Sequence, residues 1–241
     1  MYIKEIKIIN NNSNVFPFNL ELIKNTENIE FNKPITFISG ENGTGKSTLL
    51  EAIAVSFGFN AEGGSKNFNF TTKSTHSDLY EYVKLVKKAY PKDGYFFRAE
   101  TFYNLASNID YLDSLLALDS NDIIKAYGDK SLHSQSHGES FLSLFLNRFR
   151  GNGLYILDEP ESALSLSNQL TLLSRIHNLS KNSQFIISTH SPILLSYPDS
   201  EILQIENGKI IKKSFKETDA YFIINQFVNN RERLFRHLFA D

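Results

Sequence analysis

The sequence contains no cysteine among its 241 residues. That absence excludes disulfide bonds, zinc sites built from thiolates and a cysteine nucleophile, and it fits a reducing compartment. The chain also lacks the run of roughly 20 apolar residues that spans a bilayer. Its N-terminus, MYIKEIKIINNN, alternates charged and apolar residues and does not resemble a signal peptide. We therefore expect a cytoplasmic protein with no membrane segment of its own.

The chain carries little net charge. It has 25 basic and 27 acidic residues, which gives a net charge of -2. No global positive field is therefore available to recruit nucleic acid or an anionic membrane. The composition does not exclude a local basic patch. With 41% hydrophobic residues and no evident linker, the chain reads as one domain over residues 1–241, large enough to bury a core.

Short, nearly unbroken apolar runs alternate with stretches of helical periodicity. This order favours an α/β fold with a mainly parallel sheet flanked by helices. The alternating stretch 2–9, an extended stretch over 18–23 and a hairpin turning at Asn207-Gly208 predict antiparallel strands as well. We expect buried strands at 33–39, 94–100, 153–159 and 184–190. We expect helices at 47–59, 78–90, 140–149, 166–181 and 217–241, the last broken near Asn229 and Asn230.

The stretch GENGTGKST has the spacing G-x-x-x-x-G-K-[ST] between a predicted strand and a predicted helix. Gly40, Gly43 and Gly45 would let backbone N–H groups point inward at phosphates. Lys46 would then reach the β- and γ-phosphates, and the Ser47 hydroxyl would bind Mg²⁺. An incidental glycine turn is the alternative. The remaining predicted nucleotide-binding residues of the loop are Glu41, Asn42, Thr44 and Thr48.

Two further strand ends carry groups that a phosphate loop needs. Asp158 and Glu159 end the buried run LYILDE, where Asp158 would hold Mg²⁺ and Glu159 would accept a proton from the attacking water. His190 ends the run FIIST and could reach the γ-phosphate. The alternatives are a plain turn at Pro160 and a histidine that only makes structural hydrogen bonds.

The stretch SQSHGES, preceded by His133, allows three interpretations. His133, His137 and Glu139 could form a metal site, although Gly138 and three serines argue against the regular helix that such a site would use. A polar surface loop is the second interpretation. The third is a helix start that binds an anion through its backbone N–H groups.

Together these motifs resemble the ABC-type ATPases, which include the nucleotide-binding subunits of transporters and the heads of SMC and RecF-like proteins. In that family a signature similar to L-S-G-G-Q or L-S-G-G-E precedes the acidic strand by about twenty residues. QSHGE fits this frame with Ser136 placed 22 positions before Asp158. GENGTGKSTLLEAIA, SHGESFL, LYILDEPESAL and STHSPILL are further similar to small stand-alone bacterial predicted ATPases of AAA/ABC type.

The resemblance implies a P-loop fold with a helical signature subdomain at about 78–150, and it implies ATP and Mg²⁺ as ligands. It also implies an ATP-dependent head-to-tail homodimer, in which one copy's signature grips the γ-phosphate bound by the other. The signature residues are Ser136, His137, Gly138 and Glu139.

The chain departs from the family at two points. Ser165 stands where the D-loop usually has Asp, and the glutamine loop has no Gln, so Glu100 is the candidate stand-in for the metal contact. Phe16 and Phe18 are candidates for stacking on adenine, unless they belong to the core.

Three roles stay open. We expect an ATPase coupled to an unknown cytosolic effector or to a nucleic-acid process, and SKNFNFTTK interleaves Lys66 and Lys73 with aromatic residues in a way compatible with base stacking. The alternatives are the ATP-binding subunit of an ABC membrane transporter and a sensor with negligible turnover. Only about 40 residues separate Glu100 from the signature, which excludes long coiled-coil arms.

Overall fold

The structure, a computed structural model, describes residues 1–9, 13–66, 77–115, 127 and 131–239. Its strands form two sheets, one of three strands and one of six. The predicted stretch SKNFNFTTK lies outside the described residues except for Ser65 and Lys66. The strands are β1 (Ile3–Ile8), β2 (Asn28–Glu30), β3 (Ile35–Gly40), β4 (Val83–Lys87), β5 (Asp93–Arg98), β6 (Gly153–Asp158), β7 (Gln184–Ser188), β8 (Glu201–Glu206) and β9 (Lys209–Lys213).

The larger sheet has the order β5-β6-β7-β3-β8-β9 and is parallel except for β9. The predicted hairpin at Asn207-Gly208 joins β8 to β9, and both turn residues have positive φ, 49° and 71°. This matches the type I′ turns that Asn-Gly favours between antiparallel strands. The smaller sheet, β2-β1-β4, is wholly antiparallel.

Successive residues of the central strands enter two different cores because side chains alternate between the faces of a sheet. On β6, Ile156 faces a core shared with the three-stranded sheet, whereas Tyr155 and Leu157 face a second core. Both faces are therefore covered, which explains why these strands are continuous apolar runs in the sequence.

Helices cover both faces of the larger sheet. One helix, Lys46–Phe57, lies between the two sheets, and its buried residues include Leu49, Leu50 and Ile53. Four other described helices supply buried residues to the second core. The helices are α1 (Glu21–Asn25), α2 (Lys46–Phe57), α3 (Phe102–Leu115), α4 (His137–Asn147), α5 (Leu166–Ser180), α6 (Pro192–Leu195), α7 (Asp219–Asn229) and α8 (Arg231–Leu238). None of the described helices is long and apolar enough to cross a membrane.

Two sequence expectations were wrong. Residues 18–23 are not extended: Leu22 and Ile23 are both buried in α1, whereas consecutive residues of a half-exposed strand would face opposite sides. Residues 78–90 are not a helix but a 3₁₀ turn, Asp78–Tyr82, followed by β4. Apolar spacing over so short a run fits either structure, and antiparallel pairing with β1 stabilises the strand.

The predicted α/β architecture is otherwise confirmed, with a mainly parallel sheet, flanking helices and an antiparallel portion. The predicted break near Asn229 is also present, between α7 and α8. Strands β3, β6 and β7 are neighbours in the larger sheet and run parallel. Their carboxyl ends, which carry Gly40, Asp158 and Ser188, therefore meet at one edge, where α/β proteins bind ligands.

Candidate functional site

The loop between β3 and α2 has the backbone shape that its glycines predict. Gly40, Gly43 and Gly45 have φ of 148°, 78° and 96°, a region that side-chain-bearing residues rarely adopt. A Cβ atom at Gly40 would come within 2.9 Å of the Ile205 Cβ and 3.0 Å of its carbonyl oxygen. The loop therefore needs glycine at Gly40 for space as well as for conformation.

Lys46 is the first residue of α2, and its side chain folds back over the loop. Its Nζ atom donates to the carbonyl oxygens of Gly40 and Glu41, each at 2.8 Å. Burial lowers the pKa of Lys46, while Glu159, Asp158 and Glu161 act in the opposite direction. The Lys46 ammonium group is thus held beside the loop with three carboxylates near it. An anion bound there would contact a partly desolvated cation.

Asp158 ends β6 beside Ser47 of α2. The hydroxyl groups of Ser47 and Ser188 both donate to Asp158 Oδ1, at 3.0 Å and 2.5 Å. Burial raises the pKa of this carboxyl, since only 4% of the residue is exposed, although the two serines lower it. A hydroxyl and a carboxylate held in contact are the hard oxygen ligands that Mg²⁺ prefers, so these residues fit the predicted metal.

Glu159 and His190 lie together at the same edge of the sheet. Glu159 has a positive φ of 49°, a strained conformation for a glutamate, and its N–H donates to the carbonyl oxygen of Ser188 at 3.2 Å. Its Oε1 atom is 3.7 Å from His190 Nε2. Burial and the nearby Lys46 lower the pKa of His190, while Glu159 raises it. The balance favours a neutral imidazole near pH 7.

Glu161 is a site residue that the sequence interpretation missed. It lies two residues after Glu159, and its Oε1 atom accepts from Thr189 Oγ1 at 2.6 Å, His190 N at 2.7 Å and Ser191 N at 3.2 Å. Burial raises its pKa. One carboxylate therefore fixes the backbone that carries His190. The only signal in the sequence is a third acid in DEPE, two residues after Glu159.

A cavity of about 410 Å³ opens over the loop. Glu100 lies in its wall, as Ser47 does, and its Oε2 atom is 3.6 Å from Arg98 Nη2. Its contact with a metal ion stays a prediction. Phe16 also lines the cavity and is 58% exposed. Phe18 does not, because it is buried and packs edge-on against Tyr82. The other lining residues are Leu20, Asn42, Gly43, Gly45, Lys46, Ser47, Thr48 and Glu159.

The candidate signature residues begin α4 at a different place from this cavity, which none of them lines. Ser136 is the N-cap: its Oγ accepts from Glu139 N at 3.4 Å, and Glu139 Oε2 accepts from Ser136 N and Oγ at 3.0 Å and 2.7 Å. This capping box satisfies the first donors of the helix. Ser136, His137 and Glu139 are exposed.

Gly138 allows a close contact between the candidate signature residues and the loop after β6. A Cβ atom at Gly138 would lie 2.7 Å from the carbonyl oxygen of Ala163. Ser165, in the place of the family's Asp, caps α5 by accepting from Asn168 N at 3.3 Å. The unusual residue therefore has a local structural role.

The metal interpretation of SQSHGES has no support in the structure. Within the described ranges, no group of three or more His, Asp or Glu residues could hold a metal ion. His133 Nε2 instead lies 3.0 Å from Ser107 Oγ, and Glu139 caps the helix.

This chain is an ABC-type P-loop ATPase. A family model described as an AAA domain, AAA_23, matches residues 11–238, so the chain belongs to this family. A crystal structure of a nucleotide-free ATP-binding cassette from an ABC transporter shares the fold, with a TM-score of 0.54, 18% identity and coverage of 96% of this chain and 97% of the other.

Two curated relatives are similar in sequence. The retron Vc95 probable ATPase of Vibrio cholerae is 38% identical over 61 residues, which are 25% of this chain and 12% of the relative. An uncharacterized ABC transporter ATP-binding protein of Haemophilus influenzae is 28% identical over 187 residues, which are 71% of this chain and 70% of the relative. The match thus spans only about an eighth of the retron protein's length.

Proposed function

We propose that this ATPase hydrolyses ATP with Mg²⁺ held by Ser47 and Asp158, and with Glu100 near the metal. Magnesium, when bound, neutralises charge on the β- and γ-phosphates. The loop from Gly40 to Thr48 cradles the triphosphate with its N–H groups, and Lys46 exchanges its two carbonyl partners for phosphate oxygens.

Glu159 is the proposed general base. Its backbone is fixed by Ser188, and its carboxylate faces the cavity beside Lys46. It can orient a water molecule and accept its proton. His190, held by Glu161 and neutral near pH 7, can donate a hydrogen bond to the γ-phosphate or to that water. Because hydrogen bonds hold the backbones of Glu159 and His190, both side chains would be positioned before the reaction.

We further propose that the signature of a second copy completes the site. The supporting observation is that Ser136, His137 and Glu139 are exposed and do not line the cavity that holds Lys46 and Glu159. A helix start that binds an anion needs an anion supplied from outside the chain. Two copies arranged head to tail around a two-fold axis would supply one to each other. Loss of the γ-phosphate then favours their separation.

A mixing experiment tests the shared site. Lys46→Ala removes the phosphate contact of one copy, and Ser136→Arg blocks the signature of one copy. Each variant alone should lose phosphate release. An equimolar mixture should recover up to about a quarter of the wild-type rate, because half of the pairs are mixed and each has one intact composite site. No recovery, with both variants folded, would contradict the shared site but not ATP hydrolysis.

A trapping experiment tests the cycle itself. Glu159→Gln keeps the shape of the side chain but cannot accept a proton, so the ATP-bound pair should accumulate. Size-exclusion chromatography with ATP and Mg²⁺ should show a dimer, whereas the same variant with ADP should elute as a monomer. A monomer under saturating ATP would argue against the dimer.

The role served by this cycle has two candidates. The first is coupling to a cytosolic effector, and the sequence similarity to a retron probable ATPase supports it. The second is the ATP-binding subunit of an ABC membrane transporter, favoured by the Haemophilus influenzae relative. Ser165 and the missing glutamine weigh against the second. Purification of tagged Glu159→Gln protein with ATP from detergent extracts discriminates, because a transporter subunit should retain a protein with several membrane spans.

A further inference from the structure

Exposed lysines gather where β4 ends and β5 begins. Lys66 Nζ lies 4.0 Å from the ring centroid of Phe57, and Lys87 Nζ lies 4.7 Å from the same centroid. Lys87 Nζ is also 5.7 Å from the ring centroid of Tyr90, which is 76% exposed. Lys92 lines a cavity together with Lys66. We name Lys66, Lys87, Tyr90 and Lys92 the lysine patch.

Among the residues that the structure describes, none is an acidic partner for the positive charges of this patch. In the described ranges, Lys66, Lys87 and Lys92 have no carboxylate within ion-pair distance, whereas ion pairs do form at Lys24, Lys212 and Lys213. Burial lowers the pKa of Lys66, and the like charge of Lys87 lowers it further. Two ammonium groups over one aromatic ring repel each other, and a bound anion would relieve that repulsion.

The cavity beside the patch is concave, and three of its seven lining residues are cationic. Its volume is about 160 Å³, and Lys66, Lys92 and Arg148 are in its lining. Asp93 is there too, but its carboxylate is already engaged: it accepts from Arg148 Nη1 at 2.8 Å, Tyr155 Oη at 2.7 Å and Arg150 N at 3.1 Å. The two lysines are therefore the groups left for an incoming anion.

The patch is separate from the ATP site. Asp93, in the lining of the patch cavity, begins β5, whereas Arg98 ends β5 in register with Asp158. A six-residue strand is roughly 20 Å long, so the patch and the metal ligands lie at opposite ends of the sheet. Substitutions in the patch should leave the phosphate loop intact.

We propose that the lysine patch binds single-stranded nucleic acid, with phosphates at Lys66, Lys87 and Lys92 and a base stacked on Tyr90. Single-strand sites combine cations that follow the phosphate backbone with exposed aromatic rings that stack on bases. A free phosphate would use the cations but not the exposed ring. A flat anionic membrane would use the exposed lysines but would offer no planar base to stack on Tyr90. A cluster of cations beside an exposed aromatic ring fits a flexible polyanion with planar bases.

A salt titration tests the role of the lysines. Fluorescence anisotropy would follow a labelled single strand of about 16 nucleotides, the upper end of common site sizes, with ADP and Mg²⁺ in excess to fill the phosphate loop. Each phosphate contact on a single strand contributes about 0.7 to the slope of log affinity against log salt. Lys66→Ala/Lys87→Ala should therefore lower the slope by about 1.4 and weaken binding about tenfold.

The matched control removes the same charge elsewhere. Lys209→Ala/Lys216→Ala changes exposed lysines on and after β9, at the opposite edge of the larger sheet from β5. It should leave slope and affinity within error of wild type. An equal loss in both double variants would overturn the assignment, since it would reflect net charge alone. Wild-type phosphate release should persist in both.

A second pair of variants tests the base contact. Tyr90→Ala should weaken single-strand binding about tenfold at every salt concentration, and Tyr90→Phe should restore it, because stacking needs the ring and not the hydroxyl. Duplex of the same sequence should be insensitive to Tyr90→Ala. The proposal fails if wild type shows no salt-dependent binding of the strand. It fails equally if vesicles rich in phosphatidylserine compete fully, or if inorganic phosphate displaces the strand at equal phosphate concentration.

Discussion

The edge of the sheet at Asp158 and the start of α4 at Ser136 both present polar groups for which we propose triphosphate contacts, but the two regions are built differently. Asp158 is 4% exposed and accepts from two serine hydroxyls. Ser136 is exposed, and its hydroxyl and N–H contact a carboxylate from its own helix. The Asp158 region is therefore ordered before any ligand binds. At the start of α4, the hydrogen-bond donors of Ser136 are satisfied by the Glu139 carboxylate, which a ligand could replace.

The two regions also differ in how much free energy their polar groups cost the folded state. Burying carboxylates at the strand ends is unfavourable, as the raised pKa values of Asp158 and Glu161 indicate. The signature start has no such penalty, because its capping box is a normal helix-stabilising arrangement. Removing the buried charge of Asp158 should therefore raise stability while it lowers activity, whereas a substitution that disturbs the start of α4 should lower both.

The largest effect is expected for Asp158→Asn. The folded state binds the Asp158 proton more tightly than the unfolded state, so this group's stabilisation is present at low pH and lost as pH rises through the folded pKa. At pH 7 the charged carboxylate therefore destabilises the fold. The variant should lose about 10³-fold in phosphate release yet gain about 2–4 °C in thermal midpoint.

The exposed Asp199 supplies a control for this substitution. Asp199→Asn makes the same chemical change and should leave both phosphate release and the thermal midpoint near wild type. A lower midpoint for Asp158→Asn, measured without nucleotide by calorimetry at pH 7, would contradict the penalty ascribed to the buried charge.

A smaller effect is expected at Glu161, which positions His190. Glu161→Ala leaves three donors without their acceptor and should cost about 1–3 kcal/mol of unfolding free energy and about 10²-fold in kcat. Glu161→Gln retains a carbonyl oxygen and should recover most of kcat. If both variants lose stability equally but keep kcat, the residue has no influence on the histidine.

A still smaller effect is expected for Gly138→Ala, which tests the contact between the candidate signature residues and the loop after β6. The new Cβ atom would lie 2.7 Å from the Ala163 carbonyl oxygen, so one of the two segments must shift. We expect a loss of about 1–3 kcal/mol in unfolding free energy and about tenfold in phosphate release. Ser134→Ala, in the exposed turn before the signature, is the control and should change neither in denaturant titrations or activity assays.

The smallest effect concerns the titration of His190 in the nucleotide-free protein. Burial and Lys46 lower its pKa, so by NMR the imidazole should titrate below the usual value of about 6.5. Lys46→Ala should raise this pKa, because it removes the opposing cation. Glu159→Gln should lower it, because it removes the attracting carboxylate. A midpoint above the usual value in wild type would show that Glu159 dominates instead.

Much of the fold could be predicted because its signals are local. GENGTGKST between an apolar run and a helical run, and Asn207-Gly208 between alternating runs, specify their backbone conformations within a few residues. Runs such as LYILD predicted strands buried on both faces for the same reason. These elements formed where the sequence indicated.

The errors arose where distant pairing decides the structure. Val83–Lys87 has apolar spacing that also fits a helix, and only its pairing with β1, some 80 residues away, makes it a strand. Glu161 contacts residues 28 to 30 positions further along the chain, so no local pattern indicated its role. Gly138 likewise reads as a signature glycine in the sequence, whereas the Ala163 contact is visible only in three dimensions.

The capping box at Ser136 has a consequence for any ligand of that helix start. Glu139 already supplies a negative charge and an acceptor there, so an approaching anion must displace a tethered competitor. A weak or singly charged anion gains little from such an exchange, whereas a polyphosphate carrying several charges can overcome it. If a second copy presents the nucleotide as proposed, this competition would make the helix start selective. It would bind a triphosphate but not the chloride and phosphate of the surrounding solution.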